Sequence, residues 1–236
     1  MIYNVNINGK GTTSFSLDWQ KNKELPQGVS WLIHIKDKNF ELLNEYTASM
    51  DLITVGKLKP GTLYQSMIHT YNPASSENTM GSSSRIVKVL THPKSPKNLQ
   101  VLDVKNNLAV ISWNNQAYEL GETSFIIKVF EKVNGNQERE VFQTIDTDRS
   151  RMKIQGLVSN TSYHITVVTK QAVIFENEYF EEISLKSSVD LMTLPEKKSL
   201  KPIWNEAISK PYSITLDWDE DVDNLGENYS AFKYML

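Results

Sequence analysis

The sequence predicts an all-β protein of tandem β-sandwiches, two complete and one truncated. Three observations lead there. Strands ending in tryptophan recur at domain spacing, a leucine-to-tyrosine phrase recurs downstream of the first two, and alternating apolar and polar residues run along the predicted strands. The tryptophans are Trp19, Trp113 and Trp218, which stand 94 and 105 residues apart, the size of a small sandwich domain.

The leucine-to-tyrosine phrase carries the strongest geometric content. Leu157 stands six residues before Tyr163, with Val158-Ser159-Asn160-Thr161-Ser162 between and an alternating run after. Leu58 stands six residues before Tyr64, across Lys59-Pro60-Gly61-Thr62-Leu63. Turn formers followed by a strand describe a chain bending sharply from one sheet to the other, where the tyrosine hydroxyl can bond back to the turn as a tyrosine corner. Tryptophan to tyrosine is 45 residues in the first copy and 50 in the second, so the phrase belongs to an internal repeat.

Taken in order, the first repeat has strands at 4–7, 13–19, 29–36, 51–55, 65–71 and 84–91. In the third, Trp31, Ile33 and Ile35 alternate with Leu32, His34 and Lys36, which puts one face in a core. Residues 71–84 are rich in Ser, Asn, Gly and Pro and predict a solvated loop, after which Ile86 or Val87 points inward. The second repeat has strands at 99–104, 108–113, 124–131, 141–144, 152–157, 163–171 and 183–192, with Asn134-Gly135 marking a hairpin. Residues 196–236 supply strands at 203–208, 214–218 and 231–236. Trp113 and Trp218 each stand seven residues before Leu-Gly-Glu, so the repeat continues to that point and then breaks off. Three strands cannot bury a sandwich core, so the parent chain is expected to continue.

A proline-led first strand (Pro96, Asn98, Leu99, Val101), the tryptophan-ended second strand, the leucine-to-tyrosine corner and a closing Thr-x-Pro (Thr91-His92-Pro93, Thr193-Leu194-Pro195) together resemble fibronectin type III repeats. The resemblance implies immunoglobulin-like sandwiches over 1–92 and 93–195, and the N-terminal part of a third over 196–236. It also implies protein binding or spacing without catalysis and without a cofactor. Only a residue or two separates one repeat from the next, which permits limited hinging.

Composition narrows the role. A hydrophobic fraction of 39% with 22% charged residues suffices for two cores. A net charge of −3 offers no electrostatic case for nucleic acid, and no stretch approaches the ~18 apolar residues of a membrane span. Residues 1–20 lack the charged start and apolar centre of a signal peptide. Membrane attachment would therefore come through parts of the parent chain outside this sequence. Absent cysteines remove disulfides and thiol chemistry together.

Candidate sites are few. His34, His69, His92 and His164 are too scattered for a metal constellation, and no Gly-x-Ser-x-Gly elbow or phosphate loop is present. Asp219, Asp221 and Asp223 have calcium-loop spacing, but Asn224 and Ser230 occupy the places of the turn glycine and the bidentate glutamate, so a solvated acidic loop is expected. Asn160-Thr161-Ser162 and Asn228-Tyr229-Ser230 are N-glycosylation sequons. Trp19, Leu58, Tyr64, Trp113, Leu157, Tyr163 and Trp218 read as structural core. Trp204 has no counterpart in the first two repeats, and Arg-Gly-Asp is absent.

These readings favour a protein-binding or spacer segment of a receptor or adhesion ectodomain, at the cell surface or secreted. Any catalysis, such as that of a receptor tyrosine phosphatase or kinase, would belong to parts of the parent chain outside this sequence. An intracellular cytoskeletal spacer and an accessory module of a secreted bacterial enzyme are the alternatives. As a test of the strand assignment, Trp113→Ala is expected to cost about 3–5 kcal/mol through lost burial and a cavity. The measurement is the denaturation midpoint at unchanged m, and a mutant as stable as the parent removes Trp113 from the core.

Overall fold

A computed structural model describes residues 2–72, 80–133, 137–146, 150–196, 203–210 and 213–219. These divide into two compact units, Met1–Leu194 and Pro195–Leu236. The first unit holds two β-sandwiches.

The first sandwich comprises β1 (Ile2–Lys10), β2 (Phe15–Lys21), β3 (Ser30–Lys36), β4 (Leu42–Ala48), β5 (Leu52–Val55), β6 (Leu63–Tyr71), β7 (Met80–Ser83) and β8 (Val87–Leu90). One sheet runs β1-β2-β5; the other runs β4-β3-β6-β7, with β8 also on β6. Period-2 burial turns Phe15, Leu17 and Trp19 of β2 toward Trp31, Ile33 and Ile35 of β3. Trp19 and Trp31 meet edge to face, with centroids 5.6 Å apart at 84°.

The second sandwich repeats the plan. It comprises β9 (Lys97–Val104), β10 (Leu108–Asn114), β11 (Glu122–Val133), β12 (Gln137–Asp146), β13 (Arg151–Gln155), β14 (Ser162–Phe175), β15 (Glu178–Ile183) and β16 (Ser187–Met192). Its sheets run β9-β10-β13 and β12-β11-β14-β15, with β16 also on β14. Trp113 packs on Phe125 at 5.4 Å and 60°, inside a core with Ile111, Ile127, Ile154 and Val167. In the second unit, β17 (Ile203–Lys210) and β18 (Ser213–Asp219) pair antiparallel. The expected strand at 231–236 and the Asn134-Gly135 turn lie outside the described residues.

Both corners close in the same way. Leu58 and Leu157 are buried beneath the turns, and Tyr64 and Tyr163 accept hydrogen bonds from the amides of Lys59 and Val158, each at 2.8 Å. Burial pushes the Tyr64 phenol above its ordinary range, which keeps the corner hydroxyl neutral. The closing threonines then staple the turn. Thr91 Oγ1 accepts from Thr62 N at 3.0 Å and donates to Lys59 O at 2.8 Å, while Thr193 Oγ1 accepts from Thr161 N at 3.0 Å and donates to Val158 O at 2.6 Å.

The structure departs from the sequence expectation in three places. Leu42–Ala48 forms β4, an edge strand exposed over its first four residues and turning only Tyr46 and Ala48 toward the core. The predicted 71–84 loop contains β7, which pairs Tyr71 with Met80 and His69 with Ser83. The single strand expected over 183–192 is two strands. β14 runs on to Phe175, turns through Glu176 and Asn177, both at positive φ (50° and 65°), and returns as β15. Such a pair of left-handed residues matches the twist of a tight hairpin. Between β15 and β16, Ser184 accepts from Thr169 N and donates to Leu185 O, as Ser84 does with Ile68 N and Arg85 O. Of the two inward candidates after β7, Val87 packs against the core and Ile86 is exposed.

Tyr163→Phe removes one hydrogen bond without altering shape, so a loss of about 1 kcal/mol is expected. Urea unfolding measures it, and an unchanged midpoint would show that the corner bond adds nothing net.

Candidate functional site

The residues read as core lie in the core: Trp19, Leu58, Tyr64, Trp113, Leu157 and Tyr163 are all buried, which withdraws them from any ligand. The Trp218 and Trp204 side chains, the Asn228 sequon and Asp221 and Asp223 lie outside the described residues. Asn160 is exposed at the crest of the second corner with φ of 52°, and its backbone N–H bonds to Leu194 O at 3.2 Å. The side chain is exposed to solvent above the turn. No group of three or more histidine or acidic residues among the described residues is arranged to hold a metal ion.

The histidines are less bland than their spacing suggests. His34 and His69 point away from the core on the outer face of the β4-β3-β6-β7 sheet, yet are only 8% and 9% exposed, with ring centroids 4.7 Å apart. Burial, then His34 and then Lys36 hold the His69 imidazole below its ordinary range. His164 Nδ1 lies 2.7 Å from Asp190 Oδ1, and Asp190 is held low first by Lys132 and then by His164.

A cluster of specific contacts lies where the two sandwiches meet. Leu63 and Leu90 of the first, and Val173 of the second, form a small separate core, joined by Leu120, Phe175 and Phe180. The β14–β15 hairpin reaches across. Lys88 Nζ lies 2.6 Å from Glu176 and 3.2 Å from Glu178, and 5.5 Å above the Phe175 ring. Glu182 pairs with Lys10 and lies 2.8 Å from His92 Nδ1.

The connecting segment is itself tied down. His92 N donates to Gly11 O, Lys94 N donates to the Tyr118 hydroxyl at 2.8 Å, and Ser95 Oγ donates to Leu185 O at 2.8 Å. The Tyr118 ring lies over Gly61, whose φ is +58°. A Cβ there would sit 2.5 Å from the ring carbons, so only glycine fits. Sequence spacing predicted a short joint that hinges a little; the structure shows a joint with its own apolar core and ion pairs. Val173 and Phe175 continue the inward phase of β14 past the end of the expected strand at 171, and Tyr118 lies in a loop, so nothing in the sequence marked them as joint residues.

Gly61→Ala is expected to destabilise the chain by about 1–3 kcal/mol through its left-handed backbone and the Tyr118 contact. In a Tyr118→Ala background the penalty should fall to the backbone part alone, a coupling that a double-mutant cycle measures. Additive effects would place Tyr118 away from Gly61.

Residues 94–183 match the family model of the fibronectin type III domain. The chain is 23% identical over 169 residues to receptor-type tyrosine-protein phosphatase eta of Mus musculus, covering 72% of the chain and 13% of the relative. It is 27% identical over 155 residues to the netrin receptor DCC of Homo sapiens, covering 64% of the chain and 10% of the relative. The chain thus matches only about a tenth of the length of these curated relatives. A two-domain fibronectin type III segment of chicken tenascin aligns with a TM-score of 0.48 at 18% identity, over 81% of this chain and 99% of that one. Residues 94–183 thus match the fibronectin type III domain, and the first sandwich, which repeats their sheet order, tyrosine corner and closing threonine, resembles a second such repeat.

Proposed function

We propose that the chain is a non-catalytic, protein-binding and spacing segment from the ectodomain of a cell-surface receptor or adhesion protein. Its repeats extend over 1–92 and 93–195, and 196–236 opens a third. The observation that carries this reading is the joint similarity of most of the chain to two proteins whose names call them receptors. The exposed sequon at Asn160, on the second tyrosine corner, adds to it. Any catalysis would reside elsewhere in the parent chain. Cores filled by aromatic and branched side chains leave outer sheet faces and loops as the surfaces for a partner.

Glycopeptide mass spectrometry on the native protein, combined with surface biotinylation of intact cells, tests the proposal. A glycan on Asn160 and surface labelling are the expected results. A bare Asn160 in a chain that escapes labelling would overturn the extracellular reading.

A further inference from the structure

We infer that the first sandwich carries an acid-operated release: a buried pair of imidazoles on the outer face of its larger sheet loosens β3 from β6 as pH falls, while the second sandwich holds. The inference goes beyond the proposed role and is independent of it, because proton linkage follows from the fold wherever the chain resides.

The geometry puts both rings where added positive charge is poorly accommodated. His34 of β3 and His69 of β6 are diagonal neighbours, since Leu32 opposes His69 and His34 opposes Met67 in the register. Their centroids are 4.7 Å apart, and the residues are only 8% and 9% exposed. Nε2 of His69 is buried without a hydrogen-bond partner. A neutral imidazole leaves one nitrogen as an acceptor, whereas the charged ring must donate from both. Protonation of His69 therefore buries a charge together with an unmet donor.

The surroundings do not compensate. From β4, the Glu45 carboxylate lies 3.0 Å from His34 Nε2 and so serves that ring, with Thr47 beyond it. Lys36, farther along β3, adds positive charge. Tyr71 of β6 and Met80 of β7 line the groove alongside, and Ser83 of β7 is paired in register with His69. Burial first, then His34, then Lys36 lower the His69 pKa. A ring whose folded pKa lies below its unfolded value takes its proton more readily in the unfolded chain. The stability it contributes is full above the unfolded value of about 6.5 and is lost as pH falls from there toward the folded one.

The second sandwich lacks the pair. Register puts Lys128 in the place of His34 and Val168 in the place of His69, with Ile126 opposite Val168 as Leu32 is opposite His69. His164 has a carboxylate partner there, with Asp190 Oδ1 at 2.7 Å from its Nδ1. Acid thus withdraws support from one sandwich and spares the other.

Amide hydrogen exchange on the whole purified chain, compared between pH about 7.5 and about 5.5 and corrected for intrinsic exchange, tests the inference. Protection in β3 and β6 is expected to fall by up to about tenfold per pH unit below about 6.5, with β11 and β14 unchanged. His69→Val, which places there the residue type of Val168, and His69→Gln, which stays neutral, should each abolish the loss. His164→Gln should leave it in place. Followed by NMR, the His69 ring should titrate below the ordinary histidine range. Equal loss in both sandwiches, no loss in β3 and β6, a loss that survives both His69 variants, or a His69 ring titrating at or above about 6.5 would each overturn the release.

Discussion

The tyrosine corner is the constraint on which the rest of the structure depends. A β-sandwich must carry the chain from one sheet to the other without leaving buried backbone groups unpaired. Here a tyrosine hydroxyl takes one amide of the turn, and a threonine from the last strand takes another amide and returns a carbonyl bond. The leucine beneath and the tryptophan of the second strand then have a fixed wall to pack against. Because the threonine comes from the strand that closes the sandwich, the corner also ties the end of each repeat to its middle. His92, next to the first closing threonine, donates to Gly11, so the exit of the first repeat is anchored on its opening strands as well.

That anchoring explains why the junction between repeats is built rather than merely short. The chain leaves the first sandwich already held, and within three residues Lys94 and Ser95 are bonded to the second. The β14–β15 hairpin then reaches back with Val173 and Phe175 for the apolar contact and Glu176, Glu178 and Glu182 for the charges. Glu176 holds the Lys88 ammonium above its usual range, which keeps the cation charged at the edge of this small core. Such a joint sets the relative placement of the outer faces of the two sandwiches.

Those outer faces have diverged while the cores have not. Inward positions are aromatic or branched in both sandwiches, because the same space must be filled. Outward positions carry no such demand. In the second repeat the larger sheet is covered by internal pairs such as Lys128 with Glu140 and Lys170 with Glu181. In the first, His34 stands where the second has Lys128, and it lies against His69 and beside Glu45. The difference between two copies of one fold marks where function can reside.

Most of the fold was legible in the residues. Period-2 alternation in 29–36 and 124–131, the six-residue interval from leucine to tyrosine and the closing Thr-x-Pro are local patterns, and the physics behind them acts within a few residues. Edge strands β4 and β7 were not legible, since an exposed edge is stabilised by backbone bonds to a neighbour and leaves little mark on side-chain pattern. The hairpin at Glu176-Asn177 carried only a weak signal, because Asn tolerates positive φ but Glu there is held by pairing of the flanking strands. His34 and His69 are 35 residues apart in sequence, and only the register of β3 on β6 makes them diagonal neighbours. By itself, then, the sequence determined the class of fold and the identity of the two described cores, both consequences of burial and turn chemistry. The junction and the imidazole pair were decided by tertiary structure alone, because each depends on residues from separate strands whose meeting is set by strand register rather than by neighbours in the chain.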